Sequence, residues 1–130
     1  MSGKVMTEAK NLNEIQKYQQ KCEKLIQEPE IRFAGFLDMM GNLITGVFSK
    51  GAIPLKDETE RKKMFIEAVL RVRTRQDFDH NLGPVEYAAA RRKNVVVMTF
   101  LVGDKVLLVS TEYDIEIDKT ARKIMEICGI

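Results

Sequence analysis

Two apolar runs flank the segment Asp38-Met39-Met40-Gly41-Asn42 within IRFAGFLDMMGNLITGVF, residues 31–48, and this arrangement leaves the chain few options. Gly41 and Asn42 are among the few residues that enter a left-handed turn at little cost, so the stretch predicts a β-hairpin. In its first strand Ile31, Phe33, Gly35 and Leu37 share one face, and Arg32, Ala34, Phe36 and Asp38 share the other. The second strand sets Leu43, Thr45 and Val47 against Ile44, Gly46 and Phe48. Bulky apolar groups on both faces predict one covered face and one that is at least partly covered. Gly35 and Gly46 mark places where a neighbouring group can come close.

A helix is expected on either side of the hairpin. Upstream, Leu12, Ile15, Tyr18, Cys22, Leu25 and Ile26 recur at three- and four-residue spacing, which predicts a helix over residues 11–27. Asn11 with Glu14 resembles a capping box, and Pro29 stops the helix. The polar residues 1–10 are expected to be a flexible N-terminus, with a single domain over residues 11–130. Downstream, a loop containing Gly51 and Pro54 leads to Asp57 and Glu60, the acidic start of a second helix reaching residue 75. Its core stripe is Met64, Phe65, Ala68, Val69 and Val72.

Ile66 and Leu70, four apart, fall on the back of this second helix beside Lys63 and Arg73. A helix that only covers a sheet has no need of apolar residues there. Scattered surface hydrophobes are common; the sharper reading is contact with another chain. A polar connector over residues 77–83 follows, then strands over 85–92, 95–102 and 105–111 with a tight turn at Gly103-Asp104. The valine-rich runs of the last two strands predict central positions. Glu86, Arg91 and Arg92 mark the strand before them as an edge. Asp114 opens a final helix burying Ile117, Ala121, Ile124, Met125 and Cys128. The expected fold is α+β, a five-stranded antiparallel sheet with the first and final helices on one face and the second helix on the other.

Little chemistry stands out. The charge is nearly balanced, 21 basic against 19 acidic residues for a net +2, so charge alone does not point to nucleic acid. No apolar run approaches the roughly 20 residues that cross a bilayer, and the start MSGKVMTEAK lacks the apolar core of a secretory signal. A cytoplasmic location and no membrane partner are expected. Cys22 and Cys128 fall on apolar helix faces as small hydrophobes rather than metal ligands. His80, the sole histidine, sits in Asp77-Phe78-Asp79-His80-Asn81, where adjacent residues of a polar connector rarely build a general base. No phosphate loop is present. Arg71, Arg73, Arg75, Arg91, Arg92 and Lys93 form a candidate basic patch, for which a solvated surface or an acidic protein partner is favoured over nucleic acid. No catalytic, metal or cofactor site is expected, and the chain is read as a non-enzyme.

The order helix, two strands, helix, three strands, helix covers almost the whole chain and resembles the Roadblock/dynein-light-chain fold, itself similar to profilin-like and longin folds. The stretches IRFAGFLDMMGNLITGVF, LGPVEYAAARR and LLVSTEYD also resemble an uncharacterised family of small archaeal proteins. The Roadblock resemblance implies a homodimer with its central helices packed together and its third strands paired, serving as a scaffold or regulator of small Ras-like GTPases. It brings no catalytic motif. For such a dimer, the residues singled out are Ile66 and Leu70, Lys63 and Arg73 facing Glu67 of the other chain, and Ala88 and Ala90 on the slim third strand. The alternative is a small-ligand sensor with Phe33, Phe36 and Phe48 lining a pocket, discriminated by a closed apolar cavity between sheet and helix.

Overall fold

A computed structural model describes residues 2–52 and 57–130, with the backbone alone for residues 2–10. Helix α1 (Ser2–Leu25) leads into the hairpin of β1 (Ile31–Leu37) and β2 (Leu43–Phe48). Next come α2 (Glu58–Gln76), the single turn α3 (Asp79–Leu82), β3 (Ala88–Arg91), β4 (Val95–Val102), β5 (Lys105–Glu112) and α4 (Ile117–Cys128). The five strands form one antiparallel sheet in the order β2-β1-β5-β4-β3. Pro54, expected in the loop before α2, lies outside the described residues. Among the described residues, no helix is long and apolar enough to cross a membrane.

The hairpin forms as its sequence requires, with one difference. Only Gly41 takes a positive φ, at 85°, while Asn42 remains in the ordinary region. The second turn-forming residue is instead Asp38. Its carboxylate accepts hydrogen bonds from the backbone N–H groups of Met40 and Asn42, both at 2.9 Å, and from the Asn42 side-chain amide at 3.1 Å. Burial alone would raise the Asp38 pKa, but these donors and nearby Lys105 outweigh it and hold the carboxyl below its usual range. Gly41 is also tied to tertiary structure. A Cβ there would lie 2.8 Å from Ile66 Cγ1 and 2.9 Å from Ile66 Cα, so the turn rests directly on α2.

Two apolar layers flank the sheet. On one face α1 and α4 pack Cys22, Leu25, Ala121, Ile124 and Cys128 against Ala34, Phe36, Val96, Met98, Phe100, Leu107 and Val109. On the other, α2 packs Phe65 and Val69 against Phe33, Leu37, Val106 and Leu108. Asp57 caps α2 by accepting from the Thr59 N–H at 2.9 Å. Gly35 and Gly46 are register partners, and Phe33 uses the space they leave. A Cβ on Gly35 would meet its ring at 2.6 Å, and one on Gly46 at 3.0 Å. The close neighbour is thus an aromatic side chain and not a helix.

Several boundaries depart from the sequence reading, each for a local reason. Helix α1 begins at Ser2, so Asn11 and Glu14 are interior positions and not a capping box; the segment before them contains good helix formers, no proline, and glycine only near its start at Gly3. Ile31 joins the α1/α4 layer with Ala34 and Phe36, because a register shift between Ile31 and Phe33 reverses its side relative to simple alternation. The connector holds the helical turn α3. Strand β3 starts only at Ala88, since the preceding residues are drawn onto α4: the Tyr87 hydroxyl donates to Asp118 at 2.5 Å and Arg122 donates to Glu86 at 3.0 Å. Helix α4 opens at Ile117, with Glu116 at its N-cap.

Substituting Gly41→Ala forces a strained φ and a clash with Ile66 together, and a loss of about 1–3 kcal/mol is expected in urea unfolding. For Asp38→Ala we expect a loss of about 0.5–1.5 kcal/mol at neutral pH, from three exposed carboxylate-bound hydrogen bonds exchanged for water. Because the folded pKa is depressed, this stabilisation is complete above the unfolded value of 3.8 and disappears as acid carries the pH through the folded value. The difference between wild type and Asp38→Ala should therefore shrink below pH 3.8, as measured by unfolding titrations at stepped pH.

Candidate functional site

A helix with its side chains is about 10 Å across, whereas five strands about 4.8 Å apart span roughly 20 Å. Two helices cover one face of this sheet. On the other face the single helix α2 packs over β5 and its neighbours β1 and β4, and leaves part of the sheet open along one flank. The alternation along β4 records the difference: Val96, Met98 and Phe100 are buried beneath α1 and α4, while Val95, Val97 and Thr99 on the opposite side are only half-buried.

The uncovered flank is a groove of about 560 Å³ that crosses the sheet from Phe48 of β2 to Ala88 of β3. Its floor is Phe33, Val95, Val97, Leu108 and the small side chains of Ala88 to Ala90. One wall is a flank of α2 bearing Arg61, Met64, Ala68, Arg71 and Arg75, and Arg32 and Arg92 stand at the margins. Arg71 pairs with Glu67 one turn earlier at 3.0 Å, and Arg32 pairs loosely with Glu112 at 3.6 Å. Both pairs are well exposed and contribute little to stability. The floor is apolar and the rim cationic, and among the described residues the groove reaches the edge strand β3.

The residues singled out from sequence separate into two groups. Ala88 and Ala90 line the groove, as does Glu67. Ile66 does not: it packs on the hairpin turn at Gly41, and Arg73 reaches the Met39 carbonyl at 3.5 Å, so this side of α2 faces the β1–β2 turn. Leu70, one turn beyond Ile66, is 54% exposed on that outer side, and Lys63 is exposed too. The strip on the back of α2 and the β3 alanines therefore do not make one continuous surface. The spacing along α2 puts Met64 in the core stripe, whereas the structure leaves it 39% exposed in the groove wall. Its signal was its place at the margin of the core stripe, four residues before Ala68.

The aromatic trio also divides. Phe33 and Phe48 meet at 4.7 Å between ring centroids and both line the groove. Phe36 is on the opposite face, stacked on Tyr18 at 4.5 Å, because it differs from Phe33 by an odd number of positions along one strand. The space beside Phe33 is an open groove and not the closed cavity that the sensor alternative called for. The basic set scatters likewise. Arg71, Arg75 and Arg92 border the groove. Arg91 instead donates to the backbone carbonyls of Tyr113 and Ile115 and lies 5.3 Å from the Tyr113 ring.

His80 is exposed on α3. Among the described residues, no three His, Cys, Asp or Glu side chains come together as a metal set. Cys22 and Cys128 are buried free thiols in the interface of α1 with α4. Burial, reinforced by the nearby Cys128, pushes the Cys22 thiol up to about 12; burial pushes Cys128 to about 11 against the opposing pull of Lys21 and Lys24. Both stay protonated at neutral pH and are poor nucleophiles.

Superposition on solved structures places the chain among Roadblock/LC7 folds. It matches a Roadblock/LC7 domain from Streptomyces avermitilis with a TM-score of 0.66 at 11% identity, covering 85% of this chain and 91% of that one. Myxococcus xanthus MglB matches with a TM-score of 0.70 at 14% identity, covering 89% and 85%, and MglC from the same organism with 0.58 at 11%, covering 86% and 92%. At such identities the likeness is one of fold. Residues 10–130 match the family described as "Family of unknown function (DUF6659)", and the chain belongs to that family. No curated protein matches it.

The thiol environment makes a direct prediction. At pH 8, Cys22 and Cys128 of the folded protein should react with a disulfide reagent at least about 100-fold more slowly than in denaturant, as followed by thiol release. Fast native labelling of either would mean that the α1–α4 interface opens readily.

Proposed function

We propose that this protein is a non-catalytic, dimeric scaffold or regulator. The observation that carries the reading is the half-covered sheet face: an apolar groove, rimmed by arginine, that runs into an unpaired strand edge. Burying such a floor is favourable at roughly 25 cal/mol per Å². Pairing the β3 edge with a second β3 would also satisfy backbone groups that charge merely protects. A two-fold axis at that edge joins two five-stranded sheets into one and brings both α2 helices to the same side, as an isologous contact requires. The Roadblock-like fold supports this assembly, since the resemblance implies dimers with paired third strands and packed central helices. It also supports a small Ras-like GTPase as the regulated partner.

Groove and edge are recognition features, and the protein acts in this reading by holding other proteins in place rather than by transforming a substrate. A second reading, a small-ligand sensor, draws on one observation: Phe33 and Phe48 line a space within the size range of ligand sites. That space is open along its length and shaped by an extended helix flank, which suits a protein segment better than a compact ligand.

Sedimentation velocity should give a dimer at tens of micromolar (on the order of ordinary assay concentrations), and a strictly monomeric protein would rule out the assembly. For the regulatory role, tagged dimer should recover a P-loop GTPase from native extract, with recovery that differs between GTP-analogue and GDP conditions. Purified candidate and dimer must then reproduce that nucleotide dependence by titration; equal binding in both states would remove the regulatory reading.

A further inference from the structure

The sheet has two edges, and β3 is the one protected by brevity and charge. The other, β2, reads LITGVF over residues 43–48, with no charged residue and no proline. Among the described residues β1 is its single neighbour, so the backbone groups along its outer side have no strand to bond. We infer that this outer edge, roofed by α1, is a docking site, and that its occupant is an extended, uncharged strand of another protein. The β2 edge lies at the far side of the sheet from β3, so it stays open in the dimer proposed above.

What completes such an edge is fixed by its chemistry. Alternating N–H and C=O groups at strand spacing are matched by another extended backbone and by little else. The side chains around the edge narrow the choice further. On the α1 side β2 presents Thr45 and Val47, register partners of Phe36 and Ala34, and the Thr45 hydroxyl bonds Gln19 of α1. Tyr18 stacks on Phe36 beside this bond, which seats α1 along the hairpin. There α1 packs over β1 and β2. A helix about 10 Å across, centred between strands about 4.8 Å apart, reaches roughly 2–3 Å past the outer one. It therefore overhangs part of the slot that a sixth strand would take. Leu12 and Ile15, seven and four residues before Gln19, fall on the same side of α1 as Gln19, and both are exposed, Leu12 at 61%. They roof the slot towards the hairpin turn. On the α2 side Leu43 and Phe48 are exposed, with Gly46 between them. An added strand with apolar side chains on both faces would cover Leu12 and Ile15 with one set and Leu43 and Phe48 with the other.

The flanking charges do not call for a charged segment. Glu23 on α1, bonded to Gln19, and Lys50 just past β2 carry opposite signs, and β2 itself has none. The extra residue Ile44, which has no register partner on β1, bulges the strand and confines regular pairing to residues 45–48. A second copy is the competing occupant. With β3 edges paired in the dimer, pairing β2 to β2 would join dimers into an open chain, whereas closed symmetry is the rule for soluble oligomers. That exclusion is the one point at which the inference rests on the dimeric reading.

The probe is a short linear peptide, the best binder selected on the full chain from a phage-displayed library, labelled and titrated by fluorescence anisotropy. Its dissociation constant should lie below about 100 µM, and Ile15→Lys combined with Leu43→Lys should raise it at least about tenfold. Both substitutions are at exposed positions, and circular dichroism checks that the variant is folded. Met64→Lys, in the groove, should leave binding unchanged. Main-chain pairing has its own signature: N-methylation stepped along the peptide should weaken binding at every second residue. Bound peptide should also slow hydrogen exchange in residues 45–48 and not in β3. Failure to select any peptide below about 100 µM, or N-methylation without alternation, would overturn the inference. So would a peptide lost on Met64→Lys and indifferent to the edge variant, which would belong to the groove. Wild-type assemblies larger than a dimer that the edge variant reduces to dimers would give β2 to a second copy and overturn the proposed occupant. A monomeric wild type that binds the peptide as expected would remove the dimer and leave the docking site standing.

Discussion

One helix cannot cover five strands, and most of what distinguishes this molecule follows from that mismatch. On the α1/α4 face two helices meet the requirement, and the result is the larger core, with Phe36, Met98, Phe100, Leu107 and Ile124 all but inaccessible to water. On the α2 face the described chain has a single helix, packed over the middle of the sheet and held at the hairpin turn. That placement is not arbitrary. Gly41 lets the turn touch the backbone of Ile66, Phe33 fills the gap over Gly35 and Gly46, and the Phe33 ring lies 6.5 Å from Phe65. These contacts tie one side of α2 to the hairpin, and the groove along its other flank is what remains.

The flank that remains open combines two surface types. Its floor is apolar but shallow, made partly of alanines, and its rim is arginine. Arginine stems extend the apolar wall while the guanidinium groups stay hydrated, so the exposed face remains compatible with water. The β3 edge is managed in the same way. It is only four residues long, it ends in Arg91, and that residue is itself clamped to the carbonyls after β5. A short edge and a charged rim limit indiscriminate pairing without removing the capacity to pair.

Much of this was legible in the sequence, and the failures have identifiable causes. Alternation in a strand and three- and four-residue spacing in a helix are direct projections of geometry. The hairpin, the extent of β4, the edge position of β3 and the distribution of helices between the two faces followed from them. Ile31 fell on the other side because a bulge adds one residue, and a bulge leaves no mark in the pattern of apolar residues. Phe36 was grouped with Phe33 by residue type, although alternation already set them on opposite faces. Strand β3 was read too long because Tyr87 and Glu86 are held by Asp118 and Arg122, some thirty residues away.

The candidate site was harder to read because it is defined by what fails to cover it. A helical wheel of α2 shows a core stripe and an apolar strip behind it, and it invites the conclusion that the strip is the contact surface. It cannot show that the hairpin turn comes up to Ile66, or that the sheet is wider than the cover Phe65 and Val69 provide. Met64 sits at the edge of the stripe, where a buried and an exposed methionine look alike in sequence. Only the width of the sheet against the width of the helix decides between them. The same comparison gives the exposed flank its meaning: an amphipathic helix over a wide sheet has a second apolar margin, and here that margin is bounded by a glutamate before Met64 and arginines after Ala68.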